Sequence, residues 1–303
     1  MTGIIDGLPL ADYIRDPATP GPSLSASAAH TLLTRSAAHC RHTHPRLNPA
    51  WQPDEFDMAQ IVGTVAHALL LENDRSRVMV IDALDFKTKV AQLARDTALA
   101  NGKLPILAHR MVEVEAAVAA GRAQLAAKEI PDAFQGGHVE RTMIWTDEQG
   151  VTWRSRPDWT DDLGLLVVDL KTTGGSAEPD AWSRGALLAH GADLQAALAL
   201  RGLRALRGPG VRAFVFAVLE TTPPYGLSLV GLDPMFQQFA ESKLDVAAKT
   251  WAACLATNEW PPYPARICWA SPPEWAVYKW GEREDAARSA LVFGPPDEST
   301  EAL

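Results

Sequence analysis

Arg156-Pro157-Asp158-Trp159 and Val167-Val168-Asp169-Leu170-Lys171-Thr172-Thr173 bracket a short polar insert, Thr160-Asp161-Asp162-Leu163-Gly164. The insert is rich in Asp and ends in Gly, the composition of a turn. On either side, Val151-Thr152-Trp153 and Leu165-Leu166-Val167-Val168 read as strands. Opposed residues of an antiparallel hairpin have a constant number sum. A turn centred between Leu163 and Gly164 therefore sets Asp158 opposite Asp169, with Cβ atoms roughly 5 Å apart. Side chains alternate faces along a strand, so Lys171 shares the face of Asp169. Two carboxylates and an ammonium group are thereby predicted on one patch.

A D-x-K on a half-buried strand is ordinarily a solvent-facing ion pair. Here the preceding residues, Leu165 to Val168, are apolar at both parities, which predicts a strand covered on both faces. A carboxylate inside such a strand needs a metal or a partner to offset its lost hydration. Mg²⁺, with Mn²⁺ as a substitute, takes oxygen ligands and keeps several waters, so a few carboxylates plus a substrate phosphate suffice to hold it. Asp158 and Asp169 are the candidate ligands, and the pattern suits metal-dependent phosphodiester cleavage. With an unperturbed pKa near 10.4, only about 0.1% of a lysine is neutral at pH 7.5. Lys171 is accordingly read as orienting water and neutralising charge in the transition state rather than as a free base.

Other candidates stand further out. His67 lies one turn after Gly63 on an otherwise apolar stretch, where a histidine is ordinarily a core residue. Glu72, five residues later, is expected on a different face of that helix. Glu140 begins a strand beside the motif, in reach of a second metal or a bound water. Gln195 falls on an Ala-rich helix, either as an exposed amide or as a partner of a phosphate or a metal-bound water. Trp153 and Trp159 flank the motif as packing residues. His39, Cys40, His42 and His44 lack the distal ligand pair of a zinc site and are read as part of a basic entrance.

The core motif, together with Gly63-Thr64-Val65-Ala66-His67-Ala68-Leu69-Leu70-Leu71-Glu72, resembles the PD-(D/E)-x-K nuclease superfamily. More closely, the chain is similar to the exodeoxyribonuclease VIII type of phage recombination nuclease. Leu24-Ser25-Ala26-Ser27 matches the start of that family's nuclease domain, and Trp260-Pro261-Pro262-Tyr263 with Pro273-Glu274-Trp275 matches its closing segment. One departure is Ala199, where the related Q-x-x-x-Y pattern beginning at Gln195 would carry Tyr. The resemblance implies an α/β fold with a restriction-endonuclease-like core sheet flanked by helices and a helix-rich N-terminal region. It implies metal ligation by His67, Asp158, Asp169 and the Leu170 carbonyl, and catalytic roles for Asp158, Asp169, Lys171 and Gln195. DNA contacts fall to Arg35, Arg41 and Arg156, with Arg35 or Arg41 serving a 5′-phosphate. The implied activity is Mg²⁺-dependent removal of one strand of duplex DNA from its ends, 5′ to 3′. The implied partners are double-stranded DNA ends, a single-strand annealing protein and further copies of the chain in a ring. A PD-(D/E)-x-K endonuclease and a non-catalytic DNA-end binder remain open alternatives. An iron–sulfur nuclease does not, because the cluster needs four Cys and this chain has three.

Composition limits the remaining classes. The 303 residues permit a large core, no apolar run approaches the ~18 residues of a membrane span, and the start lacks a signal-peptide pattern. Scattered cysteines, Cys40, Cys254 and Cys268, suit a cytoplasmic protein. The net charge of −9 is unusual for a DNA-binding protein. Residues 18–53, however, hold Arg35, Arg41, Arg46 and several His with no acidic residue. Residues 181–212 hold Arg184, Arg201, Arg204, Arg207 and Arg212 against Asp193 alone. These stretches predict local basic patches along a DNA channel.

Residues 1–22 are read as a lead-in, 23–280 as the nuclease domain and 281–303 as an acidic, disordered tail. Periodicity predicts helices over 55–73, 86–101, 110–128, 181–206 and 233–255, the last of these being the final helix. It predicts strands over 139–145, 211–219 and 225–232 besides the motif hairpin.

Overall fold

The computed structural model describes residues 2–293 apart from 17, 20, 54–56 and 211. The chain forms two compact units, residues 1–262 and 263–303. In the first, strand β1 (Gly3–Ile5) and helix α1 (Leu10–Arg15) precede α2 (Ala26–Thr34) and α3 (Ala37–Thr43). Ser25 and Ser36 cap α2 and α3 through their side-chain oxygens, each accepting from a backbone N–H of the first turn. Helix α4 (Ile61–Leu70) follows a short 3₁₀ turn at Met58–Gln60; the predicted start at Glu55 lies outside the described residues. Strand β2 (Val78–Ile81), α5 (Lys89–Ala100), β3 (Leu104–Leu107) and α6 (Ala108–Leu125) come next, and β2 and β3 pair in parallel. The sequence suggested only a break at Gly102 and Pro105. Pro105 lies within the short two-stranded sheet, where β3 has no second strand neighbour among the described residues to need its missing N–H.

The centre of the fold is built from β4 (His138–Val139), β5 (Thr142–Thr146), β6 (Thr152–Ser155), β7 (Trp159–Thr160) and β8 (Leu166–Thr173). The single strand expected over 139–145 is thus two, divided at Glu140 and Arg141. Glu140 has φ +51°, outside the extended region, and this redirects the chain from one sheet to another. Beyond β8 lie α7 (Pro179–Arg184), α8 (Ala186–Ala189), α9 (Ala192–Arg207), β9 (Ala213–Glu220), β10 (Leu227–Gly231) and α10 (Pro234–Thr257). The long helix expected from Ala181 is broken into three, because Gly185 and Gly191 interrupt it; Gly191 has φ +67°. The last predicted helix is present as α10, with Asp233 accepting from Phe236 N–H as its cap and Pro234 opening its first turn.

Three strands, β1-β5-β6, make one antiparallel sheet. Five make the central sheet, in the order β10-β9-β8-β7-β4. Within it β8 and β9 run parallel and the other pairs antiparallel. The alternation along β8 separates two apolar layers. Val167 joins Phe214, Phe216, Trp153, Leu194 and Leu198 on the side of α2, α9 and α10. Val168 and Leu170 join Val65, Leu69, Val114 and Val118 on the side of α4 and α6. Burial on both faces explains why this strand is apolar at both parities.

The lead-in is not separate: β1 pairs with β5, and Asp16 is buried against Arg154, Thr19 and Ser23. In the second unit, helix α11 (Glu274–Phe293) runs through the boundary placed at 281, where a disordered tail was expected. Its Ala-rich sequence, with Glu282, Glu284, Asp285 and Arg288 interspersed, favours helix in spite of the charge. Trp269, Trp275, Tyr278 and Trp280 of this unit are exposed. The rest of the expected tail, residues 294–303, lies outside the described residues. No helix among the described residues is long and apolar enough to cross a membrane.

Candidate active site

The β7–β8 register pairs Trp159 with Val168 and Thr160 with Val167, so that Asp158 comes opposite Asp169 as the sequence predicts. The turn is closed by the Asp161 side chain, which accepts from the N–H groups of Leu165 and Leu166, and by Gly164 at φ +68°. Asp158 stands just before β7, and its Oδ2 accepts from Leu170 N–H at 2.8 Å. Asp169 is buried and forms an ion pair with Lys171, two residues along the same face. Lys171 Nζ also donates to Gln195 Oε1 at 2.8 Å, and Gln195 is brought in from the first turns of α9. Leu170 lines the cleft in front of this group.

His67 approaches from the other helical layer. Its Nε2 lies 3.3 Å from Asp158 Oδ2 and its Nδ1 3.9 Å from Glu72 Oε1. Gly63 is what allows α4 to lie so close to β8: a Cβ there would sit 2.5 Å from Thr172 Oγ1. Glu72 does not point away as its spacing suggested. Helix α4 ends at Leu70, so helical geometry no longer applies, and the chain beyond it returns the carboxylate towards His67. Arg77 holds Glu72 through Nη1 at 2.6 Å from Oε1. Glu140 completes the group: among the described residues, atoms of His67, Glu72 and Glu140 lie within 4.8 Å of one another, as a metal ion would require. No helix or strand periodicity relates these three positions. Glu72 could have been recovered by noting that its helix needs a stop.

These side chains line a cleft of about 1070 Å³, with Arg77, Arg110, Thr172, Thr173 and His190 around it. A smaller recess of about 200 Å³ opens beside Asp158, Asp169, Lys171 and Gln195, lined by Ser25, Ser27 and Tyr13. Burial works against charge on His67, but the carboxylates of Asp158, Glu72 and Glu140 outweigh it and push its pKa up to about 10. Burial acts on Asp158 too, yet His67, Lys171 and the Leu170 N–H hold it below the usual carboxylate range. Burial and the neighbouring charge of Asp158 push Asp169 up to about 6, against the pull of Lys171. Lys171 is raised in spite of burial, because Asp169 and Asp158 favour its cation. A buried carboxylate, Asp169, and a half-buried one, Asp158, that repel one another, with an imidazole and two further carboxylates, form a donor set that fits a divalent cation. Asp158, Asp169 and His67 would hold it, with Glu72 and Glu140 adjoining.

The residues assigned to DNA fall elsewhere. Arg35 caps the C-terminus of α2, and Arg41 lies on α3 beside a depression lined by His42, Leu47, Asn48 and Trp260. Neither lines the cleft. Arg156 borders it, but its guanidinium is turned to protein: Nη2 donates to Glu140 Oε2 at 2.6 Å and Nη1 to the Leu8 carbonyl at 2.5 Å. The expected basic entrance is only partly at the surface: Arg35, Arg41 and His42 are exposed. Cys40 and His44 are buried, and Arg46 donates to the carbonyls of Asp16, Thr19 and Gly21. The arginine-rich stretch after 181 is similarly engaged. Arg184 pairs with Asp180, Arg201 and Arg204 with Glu241, and Arg207 and Arg212 donate to backbone carbonyls. Sequence counts net charge along the chain and does not see partners brought in by α10.

Comparison with known proteins agrees with this architecture. The crystal structure of a "putative exonuclease" from Eubacterium rectale superposes with a TM-score of 0.57 at 14% identity, covering 90% of this chain and 98% of that one. At that identity the likeness establishes the fold. No curated protein matches the sequence. A family described as a PDDEXK-like domain of unknown function (DUF3799) matches residues 27–269, a span that holds His67, Asp158, Asp169, Lys171 and Gln195. With four-fifths of its length inside that match, and with the motif residues converging where the fold places them, the chain belongs to the DUF3799 family of PDDEXK-like domains.

Proposed function

We propose that this chain is a DNA exonuclease that hydrolyses one strand of duplex DNA from its ends, 5′ to 3′, with Mg²⁺ as its ion and Mn²⁺ able to replace it. The fold and the family support a nuclease. The single observation that carries the reading is the meeting of Asp158, Asp169, Lys171, Gln195 and His67, from two helices and a hairpin, in one contact network between the cleft and the smaller recess, with Lys171 lining both. When bound, the ion supplies Lewis-acid stabilisation of the phosphate and an acidified water.

The chain's own groups then have separable tasks. Lys171 is held as a cation by Asp169 and Asp158, so it offsets charge building on the phosphate rather than accepting a proton. Gln195 Oε1 accepts a hydrogen bond from the Lys171 ammonium and fixes its direction. His67 and the Leu170 N–H orient Asp158, which leaves its carboxylate a single conformation in which to work. The small recess holding Ser25 and Ser27 offers hydroxyls to a strand terminus on the far side of the carboxylates. Polarity, a recombination role with an annealing protein, and a ring of copies come from the likeness to the exodeoxyribonuclease VIII type.

Incubation with Mg²⁺ and either linear or covalently closed circular duplex tests the reading. Loss of the linear DNA alone is expected, with mononucleotides released from 5′-labelled ends first. Cutting of both forms would make the protein an endonuclease, and cutting of neither would make it a binder.

A further inference from the structure

We propose that the amino-terminal stretch Gly3–Tyr13 is a working part of the active site, which it reaches through Arg156: that guanidinium fixes the Glu140 carboxylate beside His67 and Glu72. The inference rests on the metal-dependent reading of the cleft. It makes Arg156 a positioning residue rather than a DNA contact.

Glu140 occupies a backbone conformation, φ +51°, that a side chain of its size rarely adopts. Such a residue persists only where its surroundings over-determine it. Its N–H donates to the Asp158 carbonyl at 2.8 Å, which ties the backbone of one candidate ligand to the other. Its carboxylate is oriented by Arg156, whose side chain is only 11% exposed. Glu72 and Asp158 are also negative, so without that guanidinium the carboxylate of Glu140 would be repelled towards solvent.

Besides a long hydrogen bond from Nη1 to Thr142 Oγ1 at 3.4 Å, what holds Arg156 is the amino-terminal stretch. The Leu8 carbonyl accepts from its Nη1, and the Tyr13 ring lies under it, 5.9 Å from the guanidinium carbon, and under Arg154 at 5.4 Å. Strand β1 fixes this stretch in register, Gly3 to Ile144 and Ile5 to Thr142, ending two residues from Glu140. Arg141 adds an ion pair with Asp6. The family match starts at residue 27, so these contacts are made by chain that lies before it. Arg77 performs the matching task for Glu72 from the opposite side.

Mn²⁺ binding to the full chain, followed by the electron paramagnetic resonance of the free ion, tests the inference without any cleavage readout. Removing an outer partner of a metal ligand ordinarily lowers affinity roughly 10- to 100-fold. Arg156→Ala is expected to weaken Mn²⁺ about tenfold, as Glu140→Gln does, and the double variant to be no weaker than either single one. Tyr13→Ala, which leaves every backbone contact in place, is expected to lower affinity severalfold, with melting curves showing that each variant is folded. An unchanged Mn²⁺ affinity in Arg156→Ala, or a further tenfold loss when it is added to Glu140→Gln, overturns the inference. A fall in duplex affinity without a fall in Mn²⁺ affinity would overturn it as well and return Arg156 to DNA. A wild-type chain that binds no Mn²⁺ would refute the metal-dependent reading itself, and this inference with it.

Discussion

At the scale of single residues, Asp158, Asp169 and Lys171 were readable because strand alternation and hairpin register are arithmetic. Glu72 and Glu140 were not, because each lies where regular structure stops and spacing rules lapse. Lys171→Ala is expected to lower kcat by roughly 10²–10³-fold, the usual loss for one charge-stabilising donor, while Mn²⁺ affinity stays within about twofold. Retained turnover in that variant would remove Lys171 from the chemistry. A second residue gives a pH test away from the cleft. Burial pushes His44 down to about 4; Nε2–H donates to the Ser23 carbonyl and Nδ1 accepts from Arg46 N–H, so the neutral ring is fully used. Its folded pKa lies below its unfolded value of about 6.5, so this stabilisation is complete above pH 6.5 and is lost as pH falls towards 4. Between pH 7.5 and 5 the wild type should lose about 2 kcal/mol more than a His44→Asn variant, read from urea melts. Parallel losses in the two proteins would show that His44 titrates normally.

At the scale of elements, the helix–strand approach of α4 and β8 is the decisive contact. Gly→Ala inside a helix ordinarily stabilises by about 1 kcal/mol. At Gly63 the added methyl meets Thr172 Oγ1 at 2.5 Å, on a β-branched side chain that is stiff at χ1, so the helix is expected to shift and carry His67 with it. Gly63→Ala is expected to reduce cleavage and Mn²⁺ affinity at least tenfold with little loss of melting temperature. Adding Thr172→Ala, which removes the obstructing oxygen, should restore metal affinity; a variant that binds Mn²⁺ normally without that rescue would show that α4 has slack. Long helices and the hairpin followed from periodicity and turn chemistry, since both signals are local. The breaks at Gly185, Gly191 and Glu140 serve to bring α9 and β5 to their places, and tertiary packing sets them.

At the scale of the whole molecule, the acidic balance is relieved less than the sequence suggested: among the described residues Arg35, Arg41 and His42 are exposed, while most arginines of residues 181–212 are engaged within the protein. Between residues 181 and 212, Arg184 pairs with Asp180, Arg201 and Arg204 with Glu241 of α10, and Arg207 and Arg212 donate to backbone carbonyls; near the cleft, Arg77 and Arg156 neutralise Glu72 and Glu140, and Arg110 pairs with Glu113. Affinity for internal duplex should therefore depend weakly on salt, with a slope of log K against log [salt] shallower than about −3, measurable by fluorescence anisotropy in Ca²⁺. A slope near −6 would mean a basic surface created by association of copies. The cleft also has an origin in time. Its parts are drawn from Leu8, His67, Glu140, Asp158, Lys171 and Gln195, and strand β1 meets its partner only once residues 142–144 exist. While the chain is being synthesised from its amino terminus, the first strand waits for more than a hundred residues before it can pair. The helix carrying Gln195 and the neighbouring strand β9 arrive later still. A nascent chain that stops before α9 and β9 thus lacks the parts that finish the site, however well its earlier elements have folded.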